Sequence, residues 1–392
     1  MITETTWDWI YQNIEGDCNR LRLKYAGNQE MQFAIEQIDC RQRTKNKLAA
    51  TLENKRFVFH SKLAAEQSTS DMLADYHSTL IDENSRVLDL TAGLGIDSFH
   101  LASKAKSVVA CEIDSFKAEV ATYNARILGL TNVAIKCCDS TEYINGLQND
   151  SFDCIFVDPA RRSDGGNRVY ALTDCVPNIV DMMPRLLEIA PKVIVKASPM
   201  IDISDSFSRL PQISTAISLG TERECKELIL IAQRDTTGPR TVKTVTLLRD
   251  GRVTEVSSCP GYKQTVQPLY SDPRPGMILY EPYPSVMKAG LFNSLAAIEG
   301  ISTVSPNSHL YFSDTLVDFP GRAMEIIDVV PFDKRTIKEI AAKYPRLDVA
   351  VRNFPLSAPE LQKRLKVKPG GNLRLLAFRS ADNRNLLAVC KI

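Results

Sequence analysis

Histidine is scarce in this chain, with four in 392 residues, and the ten cysteines form no CxxC pair. A structural zinc site therefore has no candidate ligand set, and no cysteine spacing suggests a disulfide framework. No apolar run approaches the ~18 residues that a membrane span needs. The opening MITETTWDWIYQNIEGD lacks the basic and apolar blocks of a signal peptide. A cytoplasmic protein without metal or membrane contact is the expectation. The P-loop pattern GxxxxGK[ST] is also missing, so the lysine that would balance a bound triphosphate is not supplied.

What is present is ordinary for a soluble globular protein: 44% apolar and 24% charged residues, over a length that suits two or three domains. The net charge of +1 hides an asymmetry. Residues 331–392 carry 14 Lys and Arg against 5 Asp and Glu, while residues 1–330 carry 34 against 42. A basic C-terminal module on an acidic remainder suits a polyanionic partner, although a charge run often marks only a solvated face.

Residues 1–82 hold two glycines and read as helical. In MQFAIEQIDCRQRTKNKLAATL, Phe33, Ile35, Ile38 and Leu48 recur on a loose helical period, and Ser68 with Asp71 fits a capping box. From Ser85 the pattern changes. Short apolar runs (SRVLDL, SVVACEID, NVAIKC, SFDCIFVDP, PKVIVKASP) alternate with stretches long enough for crossover helices, which predicts a parallel sheet covered on both faces. ISTAISLGTERECKELILIAQR adds two strands joined too tightly for a crossover, hence an antiparallel edge pair and seven strands in all. Adjacent Cys137 and Cys138 fall in one of these strands, where buried thiols are expected. TVTLLRDGRVTEV reads as a hairpin turned at Asp250-Gly251. Residues 257–276, rich in Pro and Gly, read as a linker or ordered loop. A strand and helix follow in MILYEPYPSVMKAGLFNSLAAIEG, and the last part, from GRAMEIIDVV, orders as strand, helix, strand, helix and hairpin, a small two-layer α/β module with a capping box at Ser357 and Glu360.

The first strand ends at Asp89 and runs into Thr91-Ala92-Gly93-Leu94-Gly95. Ligands of open α/β sheets bind at such strand ends, where glycines admit a close approach. A dinucleotide fingerprint, GxGxxG, lacks its third glycine here, and Asp89 and Asp97 would repel a pyrophosphate. Both acids suit a ligand with an amine and a sulfonium, which S-adenosylmethionine has. Glu112, 23 residues past Asp89, stands where an acid accepts from both ribose hydroxyls, and Asp139 ends the third strand beside the adenine position. One acid at a strand end is explained by helix capping. Three at successive strand ends, in the right order, are much harder to dismiss.

Together VLDLTAGLG, VACEID, CCDS and FVDPARR resemble the ordered motifs of class I S-adenosylmethionine-dependent methyltransferases over roughly residues 60–235. The resemblance implies that Asp89, Thr91, Gly93 and Gly95 line the methionine end of the cofactor, with Glu112 on the ribose, Asp139 at the adenine and Asp158 at the reacting side. The EPYPSVMKAG run and the basic tail further resemble a bacterial family in which that domain precedes a ferredoxin-like segment and a THUMP-like domain. By this resemblance the chain divides into a helical region (1–82), a seven-stranded doubly wound, Rossmann-like methyltransferase domain (83–240), a hairpin, linker and ferredoxin-like segment (241–318) and a THUMP-like α+β domain (319–392). It implies RNA as the substrate, tRNA or rRNA, gripped by the basic C-terminal domain.

At the reacting side, Asp158-Pro159-Ala160-Arg161-Arg162 departs from the [DN]PP[YF] of amino-methylating relatives. Arg161 resembles the DPPR form of uracil-C5 RNA methyltransferases, which attack the base through a cysteine. Neither DPARR nor VKASP contains one, which disfavours that chemistry. The expectation is methylation of an RNA base nitrogen, with Asp158 orienting the target, Arg161 on phosphate, and Lys196 as the third catalytic candidate. Lys62, Asp158, Lys196 and Glu227 also stand in the order of the Lys-Asp-Lys-Glu set of ribose 2′-O-methyltransferases, an alternative in which a lysine takes the 2′-OH proton. A nicotinamide-dependent dehydrogenase and a non-catalytic RNA-binding protein on the same scaffold are the other classes weighed.

Overall fold

The computed structural model describes residues 2–161, 172–258 and 269–392. Two compact units divide the chain, Met1–Ser214 with Ile229–Gly238, and Thr215–Leu228 with Pro239–Ile392.

The first unit opens with helices α1 (Glu4–Gln12), α2 (Cys18–Lys24), α3 (Gln29–Thr44), α4 (Lys62–Gln67) and α5 (Asp71–Ser78). Each begins on a side chain that satisfies a free backbone N–H: Thr3, Asp17, Asn28, Ser61 and Ser70. Ser70, not Ser68, caps α5. Asp71 is therefore free of capping and instead accepts from the backbone and hydroxyl of Thr51, a contact 20 residues back that no local pattern could reveal. These helices do not stand apart from the sheet. Phe57, Phe59, Ala65 and Ala74 share one buried cluster with Leu94, Ile96, Phe99 and Ala125. The extended stretch between α3 and α4 is pinned on both sides: Asn124 exchanges two hydrogen bonds with the Val58 backbone, and Gln37 does so with Phe59.

The sheet strands follow: β1 (Arg86–Asp89), β2 (Ser107–Glu112), β3 (Val133–Cys137), β4 (Cys154–Val157), the short pair β5 (Ala160–Arg161) and β6 (Cys175–Val176), then β7 (Lys192–Ala197), β8 (Ile213–Thr221), β9 (Cys225–Gln233), β10 (Thr241–Leu247) and β11 (Val253–Ser258). Crossover helices α6 (Ile96–Leu101), α7 (Ser115–Ile127), α8 (Ser140–Tyr143), α9 (Ile179–Ile189) and α10 (Ile203–Arg209) lie between them. The large sheet has nine strands in the order β11-β10-β8-β9-β7-β4-β1-β2-β3. Seven of these are the expected strands. The other two are the Asp250-Gly251 hairpin, whose first strand adds in parallel to β8. Strand order reverses between β1 and β4, the switch point where such folds bind ligands. Central strand β4 is buried throughout, whereas β3 is an edge strand with alternating exposure. That corrects the reading of the paired cysteines: Cys137 is exposed and Cys138 half-buried, because an edge strand has a neighbour on one side only.

In the second unit a seven-stranded sheet combines β12 (Ile278–Pro282), β13 (Ser302–Thr303), β14 (Tyr311–Ser313), β15 (Gly321–Pro331), β16 (Asp348–Arg352), β17 (Leu373–Arg379) and β18 (Asn385–Lys391). Helices α11 (Pro284–Ala289) and α12 (Phe292–Ala296) precede β13, and α13 (Lys334–Lys343) and α14 (Ala358–Leu365) flank β16. The expected order of strand, helix, strand, helix and hairpin is thus present from β15 to β18. Alternation along β17 sends Leu375 and Ala377 toward the α13 and α14 side, and Leu376 and Phe378 into the opposite core with Leu279 and Phe312. The Ser357 and Glu360 capping box forms at α14. Glu281, on β12, is a buried carboxylate held by Arg352 of β16 and by Arg374 of β17, the latter at 2.8 Å.

Candidate active site

The turn after β1 owes its shape to two glycines in the left-handed region, Gly93 (φ 53°) and Gly95 (φ 91°). A Cβ on Gly95 would lie 2.3 Å from the Phe99 ring, so the start of α6 depends on its absence. A Cβ on Gly93 would meet nothing nearer than the Thr91 carbonyl at 4.0 Å, which leaves that face of the turn open.

Asp89 and Glu112 hold this turn from two strand ends. Asp89 accepts from the Thr91 N–H at 2.9 Å and from the Ser98 hydroxyl, and is almost wholly buried. Burial pushes its pKa up to about 6, against the hydrogen bonds from Ser98 and Thr91 that lower it; repulsion from Asp97 and Asp158 adds to the rise. Glu112 divides its oxygens, one accepting from the Gly93 N–H at 3.1 Å and the other from the Asp114 N–H at 3.0 Å. Each oxygen keeps lone-pair capacity for a hydroxyl donor. Next to it, Ile113 is 70% exposed, an apolar side chain left at the strand end that sequence reasoning passed over. Asp139 caps α8 by accepting from the Thr141 N–H and hydroxyl, which hold its carboxyl below the usual range.

Asp158 follows β4, and its N–H donates to the Thr91 hydroxyl at 2.8 Å, joining the reacting strand to the glycine turn. Its carboxylate pairs with Lys196 of β7 at 2.6 Å. Lys196 also reaches Asp97 at 3.2 Å, and Asp97 is paired with the buried His77. Sequence reasoning offered Asp97 to the cofactor, whereas the structure turns it inward. Burial by itself would raise the Asp97 pKa, but the Lys196 ammonium and the His77 contact hold the carboxyl far below the usual range.

Lys62 pairs with Asp39 at 3.8 Å, in a group with Arg22 and Arg43. Glu227, on β9, is buried. Arg161 closes β5, and its side chain, with all of Arg162, lies outside the described residues. Opposite Arg161, across β5 and β6, stands Cys175, buried and missed because its separation from DPARR hid it.

These groups fit S-adenosylmethionine. Asp89, Glu112 and Asp158 each bond the open glycine turn, and this acidic setting suits an amine, a sulfonium and ribose hydroxyls and disfavours a pyrophosphate. Among the described residues no group of His, Cys, Asp and Glu could hold a metal, and no helix is long and apolar enough to cross a membrane.

Comparison with known proteins agrees with this geometry. Residues 81–226 match a methyltransferase domain, 279–320 a ferredoxin-like domain and 321–391 a THUMP domain-like family. A candidate methyltransferase from Porphyromonas gingivalis W83 superposes with a TM-score of 0.88 at 29% identity, covering 100% of this chain and 99% of its own. A 23S rRNA (uracil(747)-C(5))-methyltransferase from Shewanella pealeana is 30% identical over 127 residues, 32% of each chain. An RNA methyltransferase from Mycoplasma mobile is 35% identical over 97 residues, 24% of this chain and 26% of its own. The chain thus spans a third or less of the length of these curated relatives. The chain is built on a class I S-adenosylmethionine-dependent methyltransferase domain followed by ferredoxin-like and THUMP-like domains.

Proposed function

We propose that this protein is an S-adenosylmethionine-dependent methyltransferase that modifies a base nitrogen of RNA. The observation that carries the reading is Asp158, fixed by its backbone to the glycine turn and by its carboxylate to Lys196, at the open end of the strand beside the switch point. Asp89, Thr91, Gly93, Gly95 and Glu112 would hold the cofactor, with Asp139 at its adenine edge. Bound S-adenosylmethionine supplies an electrophilic methyl group on a sulfonium that leaves as a neutral thioether.

The protein's own work is then mostly positioning. Asp158 accepts a hydrogen bond from the target N–H, which aims the nitrogen lone pair and gives the released proton a destination. Lys196 keeps that carboxylate in place. Exposed Lys363, Arg364, Lys366 and Lys368 near the end of α14 give the THUMP-like domain a basic surface for phosphates.

A second reading has one observation in its favour. Cys175 lies opposite Arg161, and the Shewanella relative is named as a uracil-C5 enzyme. A thiol adding to C6 of the ring would make C5 nucleophilic. Nucleoside analysis of RNA methylated by the full chain separates the two. A methyl on a base nitrogen, lost in Asp158→Ala and kept in Cys175→Ser, supports the first. A C5 methyl lost in Cys175→Ser replaces it, and a ribose methyl excludes both.

A further inference from the structure

Thr69 and Asp97 meet Lys196, and His77 stands behind them on Asp97. Thr69 and His77 lie upstream of residues 81–226, the span matched by the methyltransferase domain, and Asp97 opens α6. The Lys196 Nζ meets Thr69 Oγ1 at 2.8 Å, Asp97 Oδ2 at 3.2 Å and Asp158 Oδ2 at 2.6 Å. An ammonium has three protons, so each of these oxygens can take one. Behind the lysine, the Thr69 hydroxyl donates to Asp97 Oδ2 at 2.5 Å, and Asp97 Oδ1 pairs with His77 Nδ1 at 2.8 Å. The His77 ring lies 5.6 Å from Phe156 of β4.

Side-chain exposure is 0% at His77, stays low at Asp97 and Lys196 (13% and 10%), and reaches 43% at Asp158. One end is set in the core and the other faces the open strand ends. A buried ion cluster of this kind is weak evidence for stability, because desolvation consumes much of the Coulombic gain. Its geometry does remove the freedom of a four-carbon lysine stem, which is costly to order and useful only where direction matters.

We propose that Thr69, His77 and Asp97 are positioning residues that act through Lys196 to hold Asp158 toward the methyl acceptor. The N-terminal helical region is thereby part of the acceptor side of the active site. This inference rests on the reading of Asp158 given above.

The test uses the full chain with Thr69→Val, Thr69→Ser and Asp97→Asn. The measurements are kcat and KM for RNA, the Kd for S-adenosylmethionine, and the side-chain ammonium signal of Lys196 by ¹⁵N NMR. Thr69→Val is expected to lower kcat about 10- to 100-fold, as a misaligned acceptor does, with KM and cofactor Kd within about twofold of wild type. Thr69→Ser restores the hydroxyl and the rate. The Lys196 signal, visible while its protons are held by three acceptors, weakens in Thr69→Val and Asp97→Asn. A kcat unchanged in Thr69→Val, beside an active wild type, overturns the proposal and leaves the reaction intact. A parallel loss of cofactor affinity and rate that Ser does not rescue assigns Thr69 to folding and overturns it too. A wild type that binds cofactor but methylates no acceptor removes the reaction itself, and the proposal with it.

Discussion

Glu112→Gln tests the cofactor assignment where its geometry is most explicit. The carboxylate sits at the end of β2 with one oxygen on Gly93 N–H and the other on Asp114 N–H, so the side chain is fixed before any ligand arrives. Two ribose hydroxyls donating to an ionised carboxylate contribute roughly 1.5 kcal/mol each, about 3 kcal/mol together. The amide keeps one accepting oxygen and turns a donor toward either Gly93 N–H or Asp114 N–H, so one backbone contact becomes a clash of donors. The expected result is a Kd for S-adenosylmethionine raised about 100-fold. Titration calorimetry on the full chain measures it, with S-adenosylhomocysteine as a second ligand, because both carry the same ribose. Both affinities should fall together. A Kd within about twofold of wild type for either ligand would refute the ribose role of Glu112 and the placement of the cofactor built on it.

Other consequences follow from the same geometry. Asp89 has a folded pKa raised to about 6 by burial, so its ionisation opposes folding: the penalty is absent below the ordinary carboxylate pKa, grows as pH rises through 6, and is complete above that. Asp89→Asn should therefore stabilise the chain by about 2–3 kcal/mol in urea unfolding at pH 7.5 and by almost nothing at pH 4; equal effects at both pH values would show that the carboxyl is not the source. Glu281→Ala removes the carboxylate shared by Arg352 and Arg374, leaving two partly buried guanidinium groups unpaired. A loss of about 2–4 kcal/mol is expected by denaturant unfolding monitored in the second unit, and an unchanged midpoint would contradict the account of that triad. Replacing Lys363, Lys366 and Lys368 by Gln should weaken RNA binding and make the plot of log Kd against log salt shallower by about 0.7 per lysine in contact with a single strand. An unchanged slope would place the phosphate contacts elsewhere.

The sheet was legible in the sequence because its strands are short apolar runs between crossover-length segments, and a parallel sheet covered on both faces requires that pattern. Asp89, Gly93, Gly95 and Glu112 were legible for a related reason: they fall at strand ends, so period and position together locate them. What escaped was long-range. The Asp250-Gly251 hairpin was readable as a hairpin, but nothing local says that its first strand pairs with β8. Cys137 and Cys138 were misjudged because strand order, not strand content, decides which strand is an edge. Thr69 and His77 reach Asp97 across 28 and 20 residues, and Thr69 reaches Lys196 across 127. The one sequence signal for that network was a charge where the pattern calls for apolar residues: Lys196 inside VIVKAS, and Asp97 on the inward face of a helix start.

The most direct test of the central claim is transfer of labelled methyl from S-adenosylmethionine by the full chain to RNA from cells lacking this gene. Protein and small-molecule fractions run beside it, and Asp158→Ala serves as the control. Label incorporated into RNA bases and lost with Asp158→Ala is the predicted result. Label in protein or small molecules alone, or none in any fraction while S-adenosylmethionine still binds, would contradict it.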